Sequence, residues 1–291
     1  MASTKIATVE ADGVKVFYRY AGQENAPTVV LLHGFPTSSH MFRNLIPQLA
    51  NKYRVIAPDL PGFGFTEVPA SRNYKYTFEN LCTTFTAFVD ALNLKRFAIY
   101  IFDYGAPTAL RFALKRPESV AAIITQNGNA YVEGLGEEFW APLQKYWESG
   151  SAEDREALRP ATTINMTKWQ YTNNSPNPDA IPPESYHLDQ ALLDRPGNSD
   201  AQLDLFYSYG SNIPLYPKFQ EYFRKSGVPI LAVWGKQDSI FVSPGAEAYG
   251  RDAKTFELHW LTAGHFALET NEEEMSAHMD KFFVDHKVFS K

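Results

Sequence analysis

Four polar features of the sequence could do chemistry together: Asp103, Asp238, His265 and the pair His33-Gly34. Each follows a short apolar run that predicts a buried strand. The active crevice of an open α/β sheet lies beyond the carboxyl ends of its strands, so these features are predicted to meet at one edge of the sheet. The chain order, aspartate, aspartate, histidine, fits a nucleophile, an orienting acid and a general base.

Asp103 stands between a strand pattern and a helix pattern. Residues 97–102 are rich in aromatic and β-branched side chains, whereas residues 107–116 carry apolar residues at helical spacing. Gly105 and Ala106 are small enough for a sharp turn that would expose the Asp103 carboxylate at the strand end. The alternative is that Asp103 only caps the helix, a common role for aspartate at such a boundary.

Asp238 and His265 have structural alternatives too, since Asp238 could be a turn residue and His265 could cap the last helix. The remaining histidines are weaker candidates, because they fall within a predicted strand or on helical segments, and no spacing among them resembles a metal site. We therefore expect neither a metal ion nor a cofactor. These weaker candidates are His40, His187, His259, His278 and His286.

The elements that must position these residues alternate between strands and helices. This alternation predicts an α/β fold with a doubly wound, largely parallel sheet. Strands are predicted over residues 6–9, 14–20, 28–32, 53–57, 97–102, 120–125, 229–234 and 256–261, and helices over 41–50, 78–92, 107–116, 245–249 and 272–284.

The strand pattern stops between the two halves of this sheet. Residues 129–225 contain helical patches, three of the five tryptophans (Trp140, Trp147, Trp169) and half of the 16 tyrosines. Such aromatic density favours a helical lid over a cavity, although the rings could also form a small core of their own. The predicted organisation is core 1–128, lid 129–225 and core 226–291.

Composition narrows the partners and the location. The chain has 291 residues, 44% of them hydrophobic, and a net charge of −6 without a basic block. Nucleic acid and anionic membranes are therefore not expected as partners. The single cysteine, Cys82, excludes an internal disulfide, and no run reaches the ~18 apolar residues of a membrane span. We expect a cytoplasmic protein that acts on a small molecule, with the oligomeric state open.

An aspartate nucleophile suits a particular reaction. Carboxylate attack on a saturated carbon that bears a leaving group gives a stable alkyl ester and needs no base, because the nucleophile is already charged. A histidine held by a second carboxylate is then needed to activate water against the ester. The predicted reaction is hydrolysis through an alkyl-enzyme.

The chain resembles a known family over nearly its whole length: the α/β-hydrolases with an aspartate nucleophile, which include epoxide hydrolases and haloalkane dehalogenases. The motifs that carry the resemblance are HGFP (33–36), PDLPGFGFT (58–66), FDYGA (102–106), WGKQD (234–238) and TAGHFALE (262–269). The resemblance implies Asp103 as nucleophile, His265 as base and Asp238 as its acid. It also implies an oxyanion hole formed by the backbone N–H groups of Phe35 and Tyr104.

The leaving group is less defined. Ile101 stands where G-x-S-x-G hydrolases have glycine, and Tyr104 where tryptophan is usual in epoxide hydrolases and dehalogenases. In epoxide hydrolases lid tyrosines protonate the leaving oxygen, which favours an epoxide here and Tyr146, Tyr207 or Tyr209 as the donor. One alternative is a dehalogenase or another carbon–heteroatom hydrolase, with halide donors from the three lid tryptophans, and another is a non-catalytic ligand-binding protein.

Overall fold

The computed structural model describes residues 3–290 and contains a single eight-stranded sheet. All eight predicted strands are present within one or two residues of their predicted ends. Parallel strands that are buried on both faces are continuous apolar runs, so such runs in the sequence predicted their positions. The strands are β1 (Lys5–Ala11), β2 (Val14–Ala21), β3 (Thr28–Leu32), β4 (Arg54–Pro58), β5 (Phe97–Phe102), β6 (Val120–Gln126), β7 (Ile230–Gly235) and β8 (Phe256–Leu261).

The sheet is mostly parallel and has the strand order β1-β2-β4-β3-β5-β6-β7-β8. Only the pairings of β2 with β1 and with β4 are antiparallel. Strand β5, which ends directly before Asp103, lies in the middle between β3 and β6. The carboxyl ends of β3, β5, β6 and β7 therefore share one edge, and the predicted fold class is confirmed.

Eleven α-helices surround or extend this sheet within residues 3–290. The helix predicted over residues 41–50 is instead a 3₁₀ turn, Ser39–Phe42, followed by a separate short helix. The α-helices are α1 (Leu45–Leu49), α2 (Phe78–Ala91), α3 (Gly105–Lys115), α4 (Glu137–Ser149), α5 (Ala152–Ala157), α6 (Ile164–Thr172), α7 (Pro183–Leu193), α8 (Asn198–Tyr209), α9 (Tyr216–Ser226), α10 (Ser243–Ala248) and α11 (Glu272–Asp285).

Two apolar cores lie on opposite faces of the sheet. One contains the apolar sides of α2, α3, α9 and α10, together with Cys82, and the other contains those of α1 and α11. The burial of both faces explains why β5, β6 and β7 are buried at every position.

Six helices, α4 to α9, lie between β6 and β7, where the sequence predicted an insertion. Side chains of α4, α8 and α9 join the first of the two cores, whereas Tyr171 of α6 and Tyr186 of α7 join the second. The division into a core and a lid at residues 128 and 225 remains a prediction. Within residues 3–290, no helix combines the length and the apolar character that crossing a bilayer requires.

Candidate functional site

Asp103 occupies a sharp elbow between β5 and α3. Its backbone φ is +46°, in the left-handed region that a non-glycine residue rarely adopts. The surrounding chain approaches so closely that a Cβ atom on Gly34 would lie 2.2 Å from Asp103 Oδ1, and one on Gly105 would lie 2.5 Å from the Leu32 carbonyl oxygen. The elbow forms although Ile101, and not glycine, precedes it in the strand.

Backbone N–H groups surround the Asp103 carboxylate. The N–H of Phe35 donates a hydrogen bond of 2.6 Å to Oδ1. Burial raises the pKa of Asp103 to about 6, although the charge of His265 and the N–H groups of Phe35 and Tyr104 act in the opposite direction. Of the two residues predicted to form an oxyanion hole, Phe35 donates its N–H to this carboxylate, and the N–H of Tyr104 is near enough to lower the pKa of Asp103.

His265 and Asp238 form a buried pair next to Asp103. His265 Nδ1 lies 2.8 Å from Asp238 Oδ2, and His265 Nε2 lies 4.0 Å from Asp103 Oδ2. The latter distance is too long for a hydrogen bond, and Nε2 has no partner among the described residues. Burial lowers the pKa of His265, but the charges of Asp238 and Asp103 outweigh burial, and the net pKa is raised.

Asp238 is held by two further donors. The N–H of Ile240 donates to Oδ1 over 2.7 Å, and Asn127 Nδ2 donates to Oδ2 over 2.7 Å. Asn127 itself accepts a hydrogen bond from the N–H of Gly235 over 2.9 Å, which ties the end of β6 to the end of β7. Because both of its oxygens accept these hydrogen bonds, the Asp238 carboxylate is fixed towards the His265 ring.

Sequence reasoning missed Asn127. The stretch after β6, Gln126-Asn127-Gly128, contains no carboxylate and therefore offers no candidate for the orienting acid. A signal was available, because asparagine before glycine directly after a strand favours a left-handed residue, and Asn127 has a φ of +49°.

His33 belongs to the framework of the site. Its Nε2 accepts the N–H of Leu60 over 2.9 Å, so the proton is on Nδ1, which donates to the carbonyl oxygen of Gly34 over 3.0 Å. Burial lowers the pKa of His33, which keeps the ring neutral. Both nitrogens are thus engaged in shaping the loop that carries Phe35.

A small, mainly apolar cavity of about 40 Å³ opens beside Asp103. The indole N–H of Trp140 is not free to bind a ligand there, because it donates to the carbonyl oxygen of Ile240 over 2.8 Å. No lysine or arginine is among the lining residues, which are Phe35, Asp103, Tyr104, Phe139, Trp140, Leu143, Leu158, Ala161, Met166, Gln170, Phe206 and Ile240.

The three predicted lid donors are not part of this wall. Tyr146 and Tyr207 line a separate outer groove, where Tyr207 is 47% exposed and the Tyr146 hydroxyl accepts a hydrogen bond from Arg155 over 3.3 Å. Tyr209 is buried, and its hydroxyl shares a hydrogen bond of 3.3 Å with that of Tyr216. Each inserted helix presents only one face to the cavity, and the side chains of Tyr146, Tyr207 and Tyr209 lie on other faces.

The predicted tryptophan donors differ among themselves. Trp147, like Trp140, uses its indole N–H on a backbone carbonyl, that of Phe206, over 2.7 Å. Trp169 lies at a narrow crevice beside His265 and Asp238. Gln170, the neighbour of Trp169, lines both this crevice and the cavity, and it was not predicted from the sequence.

Comparisons with known proteins identify the family to which the fold belongs. Residues 27–272 match the family model described as alpha/beta hydrolase fold. A protein of Saccharomyces cerevisiae named as an uncharacterized hydrolase, YNR064C, is 47% identical over 282 residues, covering 94% of this chain and 95% of its own. Mouse epoxide hydrolase 3 is 22% identical over 96% of this chain and 77% of its own.

The fold also has close counterparts among solved structures. The haloalkane dehalogenase DatA from Agrobacterium tumefaciens C58 matches with a TM-score of 0.81 at 22% sequence identity, covering 97% of this chain and 97% of DatA. At this identity the match shows the fold alone. From the family model, the yeast relative and the sheet topology together, it follows that this chain is a hydrolase and belongs to the α/β-hydrolase family.

Proposed function

We propose that the protein hydrolyses small, uncharged carbon electrophiles through a covalent ester on Asp103. The observation that carries the proposal is one constellation at the wall of an apolar cavity: a buried carboxylate with two N–H groups on one side and His265 Nε2 4.0 Å away on the other. A protein that only binds ligands has no need of a nucleophile, a base and an orienting acid together.

In the first step, Asp103 Oδ2 attacks the substrate carbon. The Phe35 N–H binds Oδ1 and leaves Oδ2 on the side of His265. A carbon–oxygen bond forms as the bond to the leaving group breaks, and the leaving group takes the electron pair. The product is an ester whose carbonyl oxygen, Oδ1, remains at the N–H groups of Phe35 and Tyr104.

In the second step, His265 Nε2 removes a proton from water, which attacks the ester carbonyl carbon. Negative charge then develops on Oδ1, where each backbone donor typically contributes about 3 kcal/mol to transition-state stabilisation. Asp238 stabilises the imidazolium that forms. As the intermediate collapses, the bond between the carbonyl carbon and Oδ2 breaks, and Oδ2 leaves in the alcohol after taking the imidazolium proton. The oxygen of the attacking water remains in the Asp103 carboxyl group, which releases a proton to regenerate the carboxylate.

The leaving group distinguishes two substrate classes. An epoxide oxygen needs an acidic O–H, and since Tyr146, Tyr207 and Tyr209 lie outside the cavity wall, Tyr104 becomes the candidate donor for epoxide opening. An alkyl halide is the second candidate, because a departing halide needs no proton and the cavity is mainly apolar. The lack of a cationic side chain in the wall argues against a carboxylate substrate.

The test is to stop the reaction after its first step. His265→Gln should still be alkylated on Asp103 by propylene oxide, 1-bromopropane or both, but should not release the product, because no base activates water. Intact mass measurement and peptide mapping would detect the ester. His259→Gln, which changes a histidine of β8 outside the site, is the matched control and should turn over normally. If neither electrophile labels Asp103 in His265→Gln, the proposal is wrong.

A further inference from the structure

Gln170 is a buried polar residue whose role the proposed reaction does not explain. Its side chain extends from α6, is only 3% exposed, and borders both the cavity at Asp103 and the crevice at His265 and Asp238. Its Nε2 atom is buried and has no hydrogen-bond partner among the described residues. A buried donor without a partner is destabilising, so its position at a cavity wall indicates that a ligand supplies the partner.

The neighbouring polar side chains of α6 show that partners are available to this helix. The hydroxyl of Thr167 donates to Gln190 Oε1 over 2.8 Å, and that of Tyr171 donates to Asp189, both on α7. Asn173, directly after α6, donates to Ser239 Oγ over 2.9 Å. Gln170 therefore differs from its neighbours in facing the site, with its amide nitrogen unpaired.

We propose that Gln170 determines substrate specificity by binding an amide or other neutral carbonyl group next to the reacting carbon. The inference rests on the proposed function and names its substrate class: small, uncharged electrophiles that carry such a group. Gln170 lines the space beside both Asp103 and His265, so a group that it binds lies near the carbon under attack.

The chemistry of a carboxamide favours this partner over the leaving group itself. A carboxamide offers two N–H donors and one carbonyl acceptor, and it has no proton to give at neutral pH. It cannot protonate a departing alkoxide, and a departing halide would use its donors but face the lone pairs of its oxygen. A substrate amide accepts one hydrogen bond and donates another, which satisfies both ends of Gln170.

The rest of the cavity wall is mostly apolar, so the contact with Gln170 should dominate the discrimination between substrates. The indole N–H of Trp140 donates to a backbone carbonyl oxygen, and most of the remaining wall is apolar. A site built to hydrogen-bond one substrate group discriminates strongly against analogues that lack it, because its own polar atoms are then left unpaired.

The experiment compares two electrophiles of similar size in the His265→Gln background, where the ester accumulates. The probes are 2-bromoacetamide and 1-bromopropane, and the rate of ester formation on Asp103 is followed by mass spectrometry and peptide mapping. Adding Gln170→Leu should slow labelling by 2-bromoacetamide by about tenfold or more, while labelling by 1-bromopropane changes by less than about twofold. Gln144→Leu, an exposed change in the outer groove, is the matched control.

Each outcome has a definite meaning. If Gln170→Leu slows labelling by both probes equally, the Gln170 amide binds the departing halide, and its proposed contact with a substrate carbonyl group is wrong. If it slows neither, Gln170 has no role in substrate binding. A lack of label from every electrophile without the Gln170 change would instead refute the proposed function. Independence of labelling from Gln170 refutes only the present inference.

A binding measurement separates recognition from folding. Propionamide, which has no leaving group, should protect Asp103 from 1-bromopropane in the His265→Gln protein, and this protection should disappear with Gln170→Leu. The Gln170→Leu protein should keep the thermal unfolding midpoint of its parent, since the change removes an unpaired polar group. Protection that persists after the substitution would contradict the proposal.

Discussion

The protonation state of one buried side chain, Asp103, sets the pH range of the proposed first step. Burial raises its pKa to about 6, and only the ionised form attacks carbon. Alkylation should therefore slow about tenfold for each pH unit below the pKa of Asp103 and become independent of pH well above it. Single-turnover labelling of the His265→Gln protein with 1-bromopropane, from about pH 4 to pH 9, measures this profile.

The same variant sharpens the expectation. The charge of His265 lowers the pKa of Asp103, so its replacement by glutamine should move the midpoint upward and not downward. A midpoint near 4, the ordinary value for aspartate, would show that the carboxylate is well solvated and that the site is more open than the structure indicates.

At the scale of elements, the orientation of helix α8 decides which aromatic ring meets the substrate. Phe206 lines the cavity, whereas Tyr207, about 100° further around the helix, is exposed at the outer groove. Two consecutive residues of α8 thus face different spaces. The Phe206 ring lines the cavity at Asp103, and the hydroxyl of Tyr207 does not reach that cavity.

Phe206→Tyr should therefore add an acidic O–H to the cavity. We expect labelling of Asp103 by propylene oxide to rise by about tenfold or more relative to labelling by 1-bromopropane, because only the epoxide needs a proton at its leaving oxygen. The ratio of the two rates in the His265→Gln background is the measurement. Tyr207→Phe is the matched control and should leave the ratio unchanged, and a rise for both electrophiles would indicate altered packing.

These two rings also show where prediction from sequence ended. The eight strands and the elbow at Asp103 were predictable because continuous apolar runs and a small-residue turn are local signals. The meeting of Asp103, Asp238 and His265 followed from strand order. The facing of Phe206, Tyr207 and Gln170 did not, since these helices lack a clear polar stripe and their rotation is set by contacts with distant elements.

At the scale of the whole molecule, a partly buried ion pair joins segments from the two ends of the chain near the site. Arg43, before α1, binds both carboxylate oxygens of Glu269, which follows His265, over 3.0 and 2.7 Å. Ser185 of α7 donates to the same carboxylate over 3.2 Å. The pair thus connects the segment before α1, the segment that follows His265 and the inserted helix α7.

Glu269→Gln should destabilise the fold by about 2 kcal/mol. The Glu269 side chain is 1% exposed, so the change leaves Arg43 without its counter-charge, but Arg43 is 20% exposed and water recovers part of the loss. Urea unfolding followed by tryptophan fluorescence would measure the difference. Glu67→Gln breaks the exposed pair with Lys15 and should cost less than about 0.5 kcal/mol. Equal effects would mean that the Arg43 pair is no more than a surface contact.

The reactivity of the buried Cys82 thiol can be used to measure local or global unfolding of the protein. Cys82 lies on the buried face of α2, and burial raises the pKa of its thiol, so the closed molecule presents no thiolate to a reagent. Alkylation of this one cysteine then proceeds only through molecules in which α2 has detached or the chain has unfolded. At low reagent concentration, the rate of Cys82 alkylation therefore reports how often the protein opens. If a bound substrate analogue lowers this rate, binding at the site stabilises the core around α2.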